Sequence, residues 1–477
     1  MSHPVSRRTL LAGGTAVAAT AAGLSGCSDG SSSGSPSTSA AIMWWDQFLP
    51  LAALEKKTFA AFTAAGGPPV EYTTYNPNDQ GKALQLAFQS KQMPDVFSLA
   101  GVNSSPNALK ASNWFAPLAD ATKITAALPA GSVVEGITSF DGKLYSFPTS
   151  SFRQYDTLPW ANGDLLDQAG LEPSTTTQTW DQFRENVRIA QQKTGKAGLL
   201  LPLSFTARMA TFVDHLAQTA GFAGSNGLEH ATGEYRYDHD AYVQAIEFLL
   251  SFKTDKLLLP ASSTLDARAG RARWTAGEAV YFFDGPYNAG VCSSDFPDFL
   301  ERLTVGQIPT PDGADPVITN APVGGTFWSS ATSGHLEDVS ALLALFVTDD
   351  YRKGQAEAMD AAPIDLDIVA GSKAHPTYKQ CCAWYAEHGY LGPSAVARKP
   401  EVATVLAAMK PVQPDLGTVV QGAMSGDVSD LRGTLKKLTD GLSAARDTAI
   451  ATKGGGTVSA ADWAFPDWQR GTDYAVS

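Results

Sequence analysis

The chain has 477 residues and a formal net charge of −13 at pH 7, from 35 lysines and arginines against 48 aspartates and glutamates. This acidic balance argues against nucleic acid as a partner, because phosphates repel an acidic surface. Residues 41–477 are too many for a single hydrophobic core, so we expect at least two lobes.

An apolar run over residues 10–22 follows two arginines near the N-terminus. It is too short and too weakly apolar for a membrane span, so it predicts an export signal. Its start resembles a twin-arginine signal, and residues 24–27 (LSGC) resemble the lipobox of bacterial lipoproteins. The resemblance implies that residues 1–26 are a signal peptide and that Cys27 carries lipid. The alternative is a plain secretory signal, and the export route stays open between the twin-arginine and general pathways.

Residues 27–40 are almost entirely Ser, Gly and other small residues, which predicts a flexible tether. Acyl chains on Cys27 would anchor the protein stably, at about 0.8 kcal/mol per buried methylene. We therefore expect an exported protein, lipid-anchored on the extracytoplasmic side of the cell membrane.

After the tether, strand-like runs alternate with helical spacing of apolar residues, which is typical of an α/β protein with mostly parallel sheets. A capping box at Thr179 and Gln182 predicts a helix start. The runs that predict strands are residues 41–46 (AIMWWD), 70–75 (VEYTTY), 94–100 (PDVFSLA), 198–205 (GLLLPLSF, broken by Pro202) and 279–285 (AVYFFDG). The apolar residues that predict helix faces are Leu51, Leu54, Phe59 and Phe62; Leu84, Leu86 and Phe88; Phe183, Val187 and Ala190; Tyr242, Ile246, Leu249 and Leu250; and Val339, Leu342, Leu343 and Phe346.

Three cysteines follow Cys27, namely Cys292, Cys381 and Cys382. Either Cys292 forms a disulfide with one of the other two, or all three are buried thiols. No spacing of cysteines or histidines indicates a metal site, and we expect no cofactor.

Several short phrases in order resemble one family. They are MPDV (93–96), FDGKLY (140–145), NGDLL (162–166), TWDQF (179–183), GEAV (277–280) and DGPY (284–287). Together they resemble the bacterial extracellular solute-binding proteins of carbohydrate ABC transporters, with a maltose-binding-protein-like architecture. The resemblance implies a type II periplasmic-binding-protein fold: two lobes, each a mostly parallel sheet flanked by helices, with a hinged cleft between them.

The resemblance places the N-terminal lobe at residues 41–155 plus 305–360 and the C-terminal lobe at 156–304 plus 361–477. It implies a monomer that captures a sugar or oligosaccharide in the cleft and hands it to membrane permeases. The net acidity disfavours strongly anionic glycans, so we expect a neutral oligosaccharide.

Sugar binding needs aromatic faces for the C–H side of the ring and polar groups for its hydroxyls. Tyr287 occupies the place in DGPY where the family has a stacking aromatic; alternatively it packs on its own lobe. Asp284 either accepts sugar hydroxyls or caps a helix. Trp44 and Trp45 point to opposite faces of their strand, so at most one faces the cleft, while Asp46 is a candidate hydroxyl acceptor.

A second group of candidates lies further along the chain or at the crossover between the lobes. The segment at Gly324 and Gly325 resembles the family's re-entry beside the ligand, where glycines let the backbone approach closely. Trp328 either stacks on the ligand or packs in the core. The remaining candidates, each with a structural alternative, are Arg153 and Tyr155 (ligand donors or an inter-lobe salt bridge) and Asp365 and Asp367 (a ligand contact or a solvated turn). Trp384 and Tyr385 are expected in the core.

A secreted, lipid-anchored carbohydrate-active enzyme is the main alternative, since it would share the acidity, the aromatics and a cleft. Such an enzyme needs two suitably spaced carboxyls, a geometry that sequence does not exclude. No nucleophile elbow, HExxH or P-loop is present, so we expect a binding protein and not an enzyme. A sensor or adhesin with the same fold is a third possibility.

Overall fold

The structure, a computed structural model, describes residues 41–102, 104–129 and 131–474. The signal peptide, the lipidated Cys27 and the tether that the sequence predicts lie outside the described residues. None of the described helices is long and apolar enough to cross a bilayer.

The described strands are short, and most of the helices are too. The strands are β1 (Ile42–Asp46), β2 (Val70–Thr74), β3 (Val96–Phe97), β4 (Phe115–Ala116), β5 (Ser139–Phe140), β6 (Lys143–Leu144), β7 (Leu158–Asn162), β8 (Ala197–Leu200), β9 (Gly224–Ser225), β10 (Leu228–Glu229), β11 (Glu234–Tyr235), β12 (Ala279–Asp284), β13 (Leu303–Val305), β14 (Ile318–Asn320), β15 (Trp328–Ser330) and β16 (Gly389–Leu391). The helices are α1 (Ala52–Ala64), α2 (Pro77–Ser90), α3 (Pro106–Ala111), α4 (Thr122–Ala127), α5 (Gly163–Ala169), α6 (Trp180–Thr194), α7 (Thr206–Thr219), α8 (Asp240–Thr254), α9 (Ala267–Thr275), α10 (Asn288–Asp295), α11 (Leu336–Leu343), α12 (Asp349–Ala358), α13 (Asp367–Ala370), α14 (Pro376–His388), α15 (Ala395–Arg398), α16 (Val402–Ala408), α17 (Leu416–Ser425) and α18 (Leu431–Lys453). Short 3₁₀ helices lie at Leu49–Leu51, Pro260–Thr264, Pro297–Arg302, Ala344–Val347 and Ala460–Trp463.

The first sheet has the strand order β2-β1-β3-β15-β4. β1 is parallel to both β2 and β3, whereas β15 is antiparallel to its neighbours β3 and β4. Trp44 of β1 is fully buried, with its ring centroid 4.7 Å from that of Phe327 and 5.0 Å from that of Phe59. Aromatic packing on β1 therefore builds the core of this sheet.

The second sheet has the order β13-β7-β12-β8. Its strand β12 is buried at every position and is parallel to β8 but antiparallel to β7. Phe183 of α6 packs on this strand, with its ring centroid 5.2 Å from that of Tyr281 and 5.5 Å from that of Phe283. A continuous apolar strand of this kind is covered on both faces.

The α/β prediction is confirmed, but the expectation of mostly parallel sheets is wrong in detail. Only β1 with β2, β1 with β3 and β8 with β12 pair in parallel within the two sheets. The strands β15 and β7 pair with strands from distant parts of the chain and run opposite to the other strands of their sheets. Hydrophobic patterning detects a strand but not the direction in which a distant strand returns.

The predicted start of α6 is confirmed. The Thr179 hydroxyl accepts from the Gln182 amide at 3.0 Å, and the Gln182 side chain accepts from the Thr179 amide at 2.9 Å. In α2, by contrast, Leu84 is buried but Leu86 is 66% exposed. Residues two apart lie on different sides of a helix, so Leu86 cannot share the buried face of Leu84.

The three described cysteines are free and buried, so the alternative of buried thiols holds for Cys292, Cys381 and Cys382. Trp384 and Tyr385 are also buried, as predicted. The lobe boundaries predicted between residues 155 and 156 and between 304 and 305 remain a prediction.

Candidate functional site

A cavity of about 310 Å³, here named the arginine cavity, lies beyond the carboxyl ends of strands from both sheets. Gln47, Asn76 and Ala100 line it from the loops that follow β1, β2 and β3, while Phe205 and Tyr287 line it after β8 and β12. Open α/β sheets bind ligands at this edge, because loops from several strands converge there. This edge of the two sheets is therefore a candidate ligand site.

Tyr287 lies among charged side chains in the arginine cavity. Its hydroxyl donates to Asp156 Oδ2 at 3.2 Å, and Arg208 forms an ion pair with the same oxygen at 2.7 Å. The guanidinium carbons of Arg208 and Arg271 lie 4.8 Å and 5.3 Å from the centre of the Tyr287 ring. The ring is half-buried in the cavity wall. An aromatic surface is thereby surrounded by groups that donate to and accept from hydroxyls.

Asp284 holds the Arg271 side chain in place through a buried ion pair. The Arg271 Nε lies 2.6 Å from Asp284 Oδ2, and both side chains are buried, at 7% and 1% exposure. Asp284 ends β12 and also accepts from the Gly285 amide at 2.9 Å. The Asp284 carboxylate is therefore committed to protein groups, so its predicted role as a sugar-hydroxyl acceptor is corrected to that of an arginine anchor.

Arg268 reaches from α9 to the loops of the first sheet. Its Nη2 donates to the Tyr75 carbonyl at 3.4 Å, and Asp266 starts the helix by accepting from the Ala269 amide at 2.8 Å. Burial lowers the pKa of Arg268, and the nearby Arg271 lowers it further. Arg268 and Arg271 are three residues apart and share one face of α9, which explains why both line the cavity.

A second cavity of about 250 Å³, here named the polar cavity, adjoins the first. Both cavities are lined by Gln47, Phe48, Asp360 and Ala361. The other polar side chains of the polar cavity are Ser98, Thr149, Ser150, Thr326 and Gln355. The site is therefore a pair of adjacent chambers with different chemistry.

Asp360 lies where the two chambers meet and is only 6% exposed. Burial raises its pKa to about 6; the charge of Asp46 also raises the pKa, and the charge of Arg271 lowers it. Sequence reasoning missed this residue and chose Asp365 instead. Asp365 accepts from the Asp367 amide at 3.1 Å in the turn that starts α13 and lines neither cavity, in keeping with the alternative of a turn.

Gly324 and Gly325 line the polar cavity, as predicted for the re-entry segment. A Cβ on Gly325 would lie 2.0 Å from Ser146 Oγ and 2.2 Å from Ser146 Cβ, whereas a Cβ on Gly324 would meet nothing within 4 Å. Ser146 is fully buried and its hydroxyl donates to the Phe327 carbonyl at 2.5 Å, so it has little room to move.

We expect Gly325→Ala to lower the free energy of unfolding by about 1–3 kcal/mol, since overpacking a tight site forces its neighbours to shift. Gly324→Ala is the matched control and is expected to change stability little. Urea unfolding of the two variants checks the difference. Equal stabilities would contradict the close approach at Gly325.

Other predicted contacts lie away from both cavities, and the structure corrects them. Trp44 and Trp328 are fully buried, and Trp328 stacks on Phe115 with centroids 4.2 Å apart. Trp45 packs on Tyr75 with centroids 5.1 Å apart, outside the lining of both cavities. Strand alternation places Trp44 on the buried face of β1 and Trp45 on the face of exposed Met43, where Trp45 packs against Tyr75.

Arg153 and Tyr155 also bind other groups of the protein. Arg153 forms an ion pair with Asp473 at 2.5 Å, and the same guanidinium donates to the Gly389 carbonyl. Tyr155 is fully buried and donates to Gln307 Oε1 at 2.8 Å. These bonds tie the crossover segment to later parts of the chain, so the salt-bridge alternative holds for Arg153.

Asp46 is fully buried and is not among the residues that line either cavity. It accepts from Trp44 Nε1 at 2.8 Å, the Phe48 amide at 3.0 Å and the Tyr72 hydroxyl at 3.1 Å. Burial raises its pKa, and these hydrogen bonds oppose the rise. Its predicted contact with sugar hydroxyls is therefore corrected, since its acceptor sites are taken.

Glu55 of α1 is fully buried, and burial followed by the charge of Asp46 raises its pKa well above the ordinary value. The contribution of Glu55 to the free energy of unfolding is fully present at pH values below the ordinary carboxyl pKa. It is lost as the pH rises through the raised pKa of the folded state. We expect Glu55→Gln to raise the free energy of unfolding at pH 8 by about 1 kcal/mol or more, because one pKa unit corresponds to about 1.4 kcal/mol.

The gain from Glu55→Gln should shrink at pH 5. Exposed Glu71 offers the control, since Glu71→Gln should leave the pH profile unchanged. Urea unfolding at both pH values measures the effect. A gain that is the same at pH 5 and pH 8 would show that Glu55 does not take up a proton on folding.

Among the described residues, no group of three or more histidine, cysteine or acidic side chains could hold a metal ion. The family model described as bacterial extracellular solute-binding protein matches residues 57–380. No curated protein matches the chain.

Solved structures resemble the chain in fold. The maltose-bound MalE3 of T. maritima has a TM-score of 0.63 and 16% identity, over 84% of this chain and 98% of that one. An ABC substrate-binding protein from Listeria monocytogenes in complex with cycloalternan has a TM-score of 0.61 and 18% identity, over 87% of this chain and 98% of that one. The GacH receptor of Streptomyces glaucescens, studied unliganded and with acarbose, has a TM-score of 0.60 and 16% identity, over 87% of this chain and 98% of that one. These likenesses show the α/β fold with two lobes.

Proposed function

The chain belongs to the family of bacterial extracellular solute-binding proteins, and on this premise we propose that it captures a sugar or oligosaccharide for an ABC importer. The observation that carries the proposal is the pair of adjoining cavities at the carboxyl ends of strands from both sheets. Three proteins with this fold are described in complex with maltose, cycloalternan or acarbose, which supports the class of ligand.

The lining of the arginine cavity suits a sugar ring. Tyr287 supplies an aromatic face, and Phe48, Phe205 and Phe296 add apolar surface. Covering about 100 Å² of apolar surface contributes roughly 2.5 kcal/mol. Micromolar binding needs about 8 kcal/mol, so well-paired hydroxyls must supply the rest. The arginines of the lining provide donors for that pairing, and the side chains of Gln47, Gln154 and Asp360 provide acceptors.

Capture would proceed by closure of the two lobes about the cleft, with the lobes divided as the sequence predicts at residues 155 and 304. The ligand leaves chemically unchanged, so the protein is not an enzyme. Delivery passes the ligand to permease subunits in the membrane. A lipid on Cys27 and the tether to residue 40 would hold the protein near those subunits.

A glycan panel tests binding and turnover together. The mature protein is mixed with mono- and oligosaccharides while intrinsic tryptophan fluorescence is followed, and the sugars are then separated by chromatography. We expect saturable binding of at least one saccharide, recovered intact. Shortened products would favour the carbohydrate-active enzyme, and no binding by any saccharide would overturn the proposal.

The membrane anchor is tested separately. Mass spectrometry of the protein from its native host is expected to find a lipid-modified Cys27 at the N-terminus. An unmodified N-terminus on a freely diffusing protein would contradict the anchor and leave the binding proposal intact.

A further inference from the structure

The two cavities differ in charge. Arg208, Arg268 and Arg271 line the arginine cavity together with Asp266, Asp295 and Asp360, and no lysine, arginine or histidine is among the residues that line the polar cavity. The charged residue in the polar cavity is Asp360, which lines both chambers. A ligand that spans the pair therefore meets cations only in the arginine cavity and meets the Asp360 carboxyl group where the chambers join.

Asp360 differs from Asp156 and Asp284 in having no cation of its own. Asp156 is ion-paired with Arg208 at 2.7 Å, and Asp284 with Arg271 at 2.6 Å. Within the described ranges, no lysine, arginine or histidine forms a salt bridge with Asp360, although only 6% of it is exposed. A carboxylate removed from water needs a compensating partner. An incoming ligand can supply that partner.

A second buried acceptor in the same cavity lacks a partner. Gln355 is 2% exposed and its Nε2 donates to the Thr149 carbonyl at 3.1 Å, which leaves its Oε1 as an acceptor. This Oε1 has no hydrogen-bond partner among the described residues. In the polar cavity, Gln355 Oε1 thus has no partner among the described residues, and the Asp360 carboxyl group, which accepts from the Ala361 amide, has no cationic partner there.

The hydroxyl groups of Ser98, Thr149 and Thr326 are already engaged with other protein groups. The Ser98 hydroxyl donates to Gln47 Oε1, and the Thr149 and Thr326 hydroxyls lie 3.1 Å apart in a shared hydrogen bond. An ammonium group has three donors and no acceptor, so it matches this set better than a hydroxyl, which also brings lone pairs that need donors.

We propose that the polar cavity binds a protonated amine of the ligand, so that the solute is a saccharide with an amino sugar at that end. The inference rests on the proposed function and refines its ligand class, since a wholly neutral oligosaccharide would leave Asp360 without a cation. Asp46 lies close enough for its charge to act on Asp360, and it adds to the attraction for a positive group.

The test compares three disaccharides that share one β-1,4-linked skeleton: glucosaminyl-glucose, which carries a single amine, its N-acetylated form, and the glucose dimer. Calorimetry with the mature protein at pH 7 is expected to give at least tenfold tighter binding of glucosaminyl-glucose than of the other two. N-acetylation keeps the ring and the linkage but removes the charge, and the glucose dimer lacks both the charge and the bulk of the acetyl group.

Asp360→Asn is expected to abolish this preference, since it keeps the shape of the side chain and removes the charge. Asp295→Asn is the matched control in the arginine cavity and should keep the preference. If Asp360→Asn does not fold, the comparison of the three sugars on the wild type still decides. Equal or tighter binding of the glucose dimer would overturn the inference while supporting saccharide binding. No binding of any sugar, here or in the wider panel, would overturn the proposed function and the inference with it.

Discussion

Asp284→Asn is expected to lower the free energy of unfolding by about 3–5 kcal/mol, the usual loss when one partner of a buried ion pair is removed. Asp284 and Arg271 are 1% and 7% exposed and lie 2.6 Å apart, so the variant leaves the Arg271 guanidinium buried without its anion. Asparagine retains an oxygen that can accept from the Gly285 amide, so the loss isolates the charge. Urea unfolding measures the change.

A surface pair of equal length supplies the control. Lys110 and Asp141 also lie 2.6 Å apart, but Asp141 is 79% exposed, so Asp141→Asn should leave stability nearly unchanged. The double variant Arg271→Met with Asp284→Leu removes both charges and should recover most of the loss. If Asp284→Asn and Asp141→Asn cost the same, burial is not what makes the Arg271–Asp284 pair important.

Much of the local structure was predictable because it follows from short-range rules. The capping box at Thr179 and Gln182 forms as its residue types require, and β12 follows its apolar run. The family of the chain was also predictable, since its phrases are spread over much of the length that the family model matches. The order and direction of the strands were not predictable from the sequence, because strands such as β15 and β13 pair with strands from distant parts of the chain.

The site was predicted less completely. Tyr287 and the two glycines at 324 and 325 line the cavities. Tyr287 was a candidate from its place in the DGPY phrase, and the glycines were candidates from the resemblance to the family's re-entry segment. Trp44 and Trp328 were candidates because aromatics bind sugars, yet aromatics also fill cores, and local sequence does not say which face a neighbouring helix covers.

The charged residues of the site were missed because they come from separate elements. Arg208 is on α7, Arg271 on α9 and Asp360 follows α12, and no motif joins them. One signal was available: Arg268 and Arg271 at a spacing of three place two cations on one face of a short helix. Asp360 gave no such signal, since its importance arises only from burial where two cavities meet.

Tyr287→Ala is expected to weaken binding of the tightest saccharide of the panel at least tenfold, which corresponds to about 1.4 kcal/mol. The variant removes aromatic surface from the arginine cavity, where covering about 100 Å² contributes roughly 2.5 kcal/mol. It also removes the ring over which Arg208 and Arg271 lie at 4.8 Å and 5.3 Å. Calorimetry gives the dissociation constant, and scanning calorimetry the melting temperature.

Tyr287→Phe distinguishes the contribution of the ring from that of the hydroxyl group. The phenylalanine keeps the aromatic surface and loses only the 3.2 Å hydrogen bond to Asp156, which Arg208 still holds at 2.7 Å. We therefore expect Tyr287→Phe to bind within about threefold of the wild type, because the lost hydrogen bond joins two protein groups and lies outside the ring surface that the sugar covers. The melting temperature should fall only slightly in both variants, since Tyr287 is half-exposed to the cavity. The tyrosine ring packs closely on Gly285, where an added Cβ would lie 2.4 Å from the tyrosine Cζ. A sharp fall in melting temperature for Tyr287→Ala with unchanged affinity would therefore assign the ring to this packing and not to ligand binding.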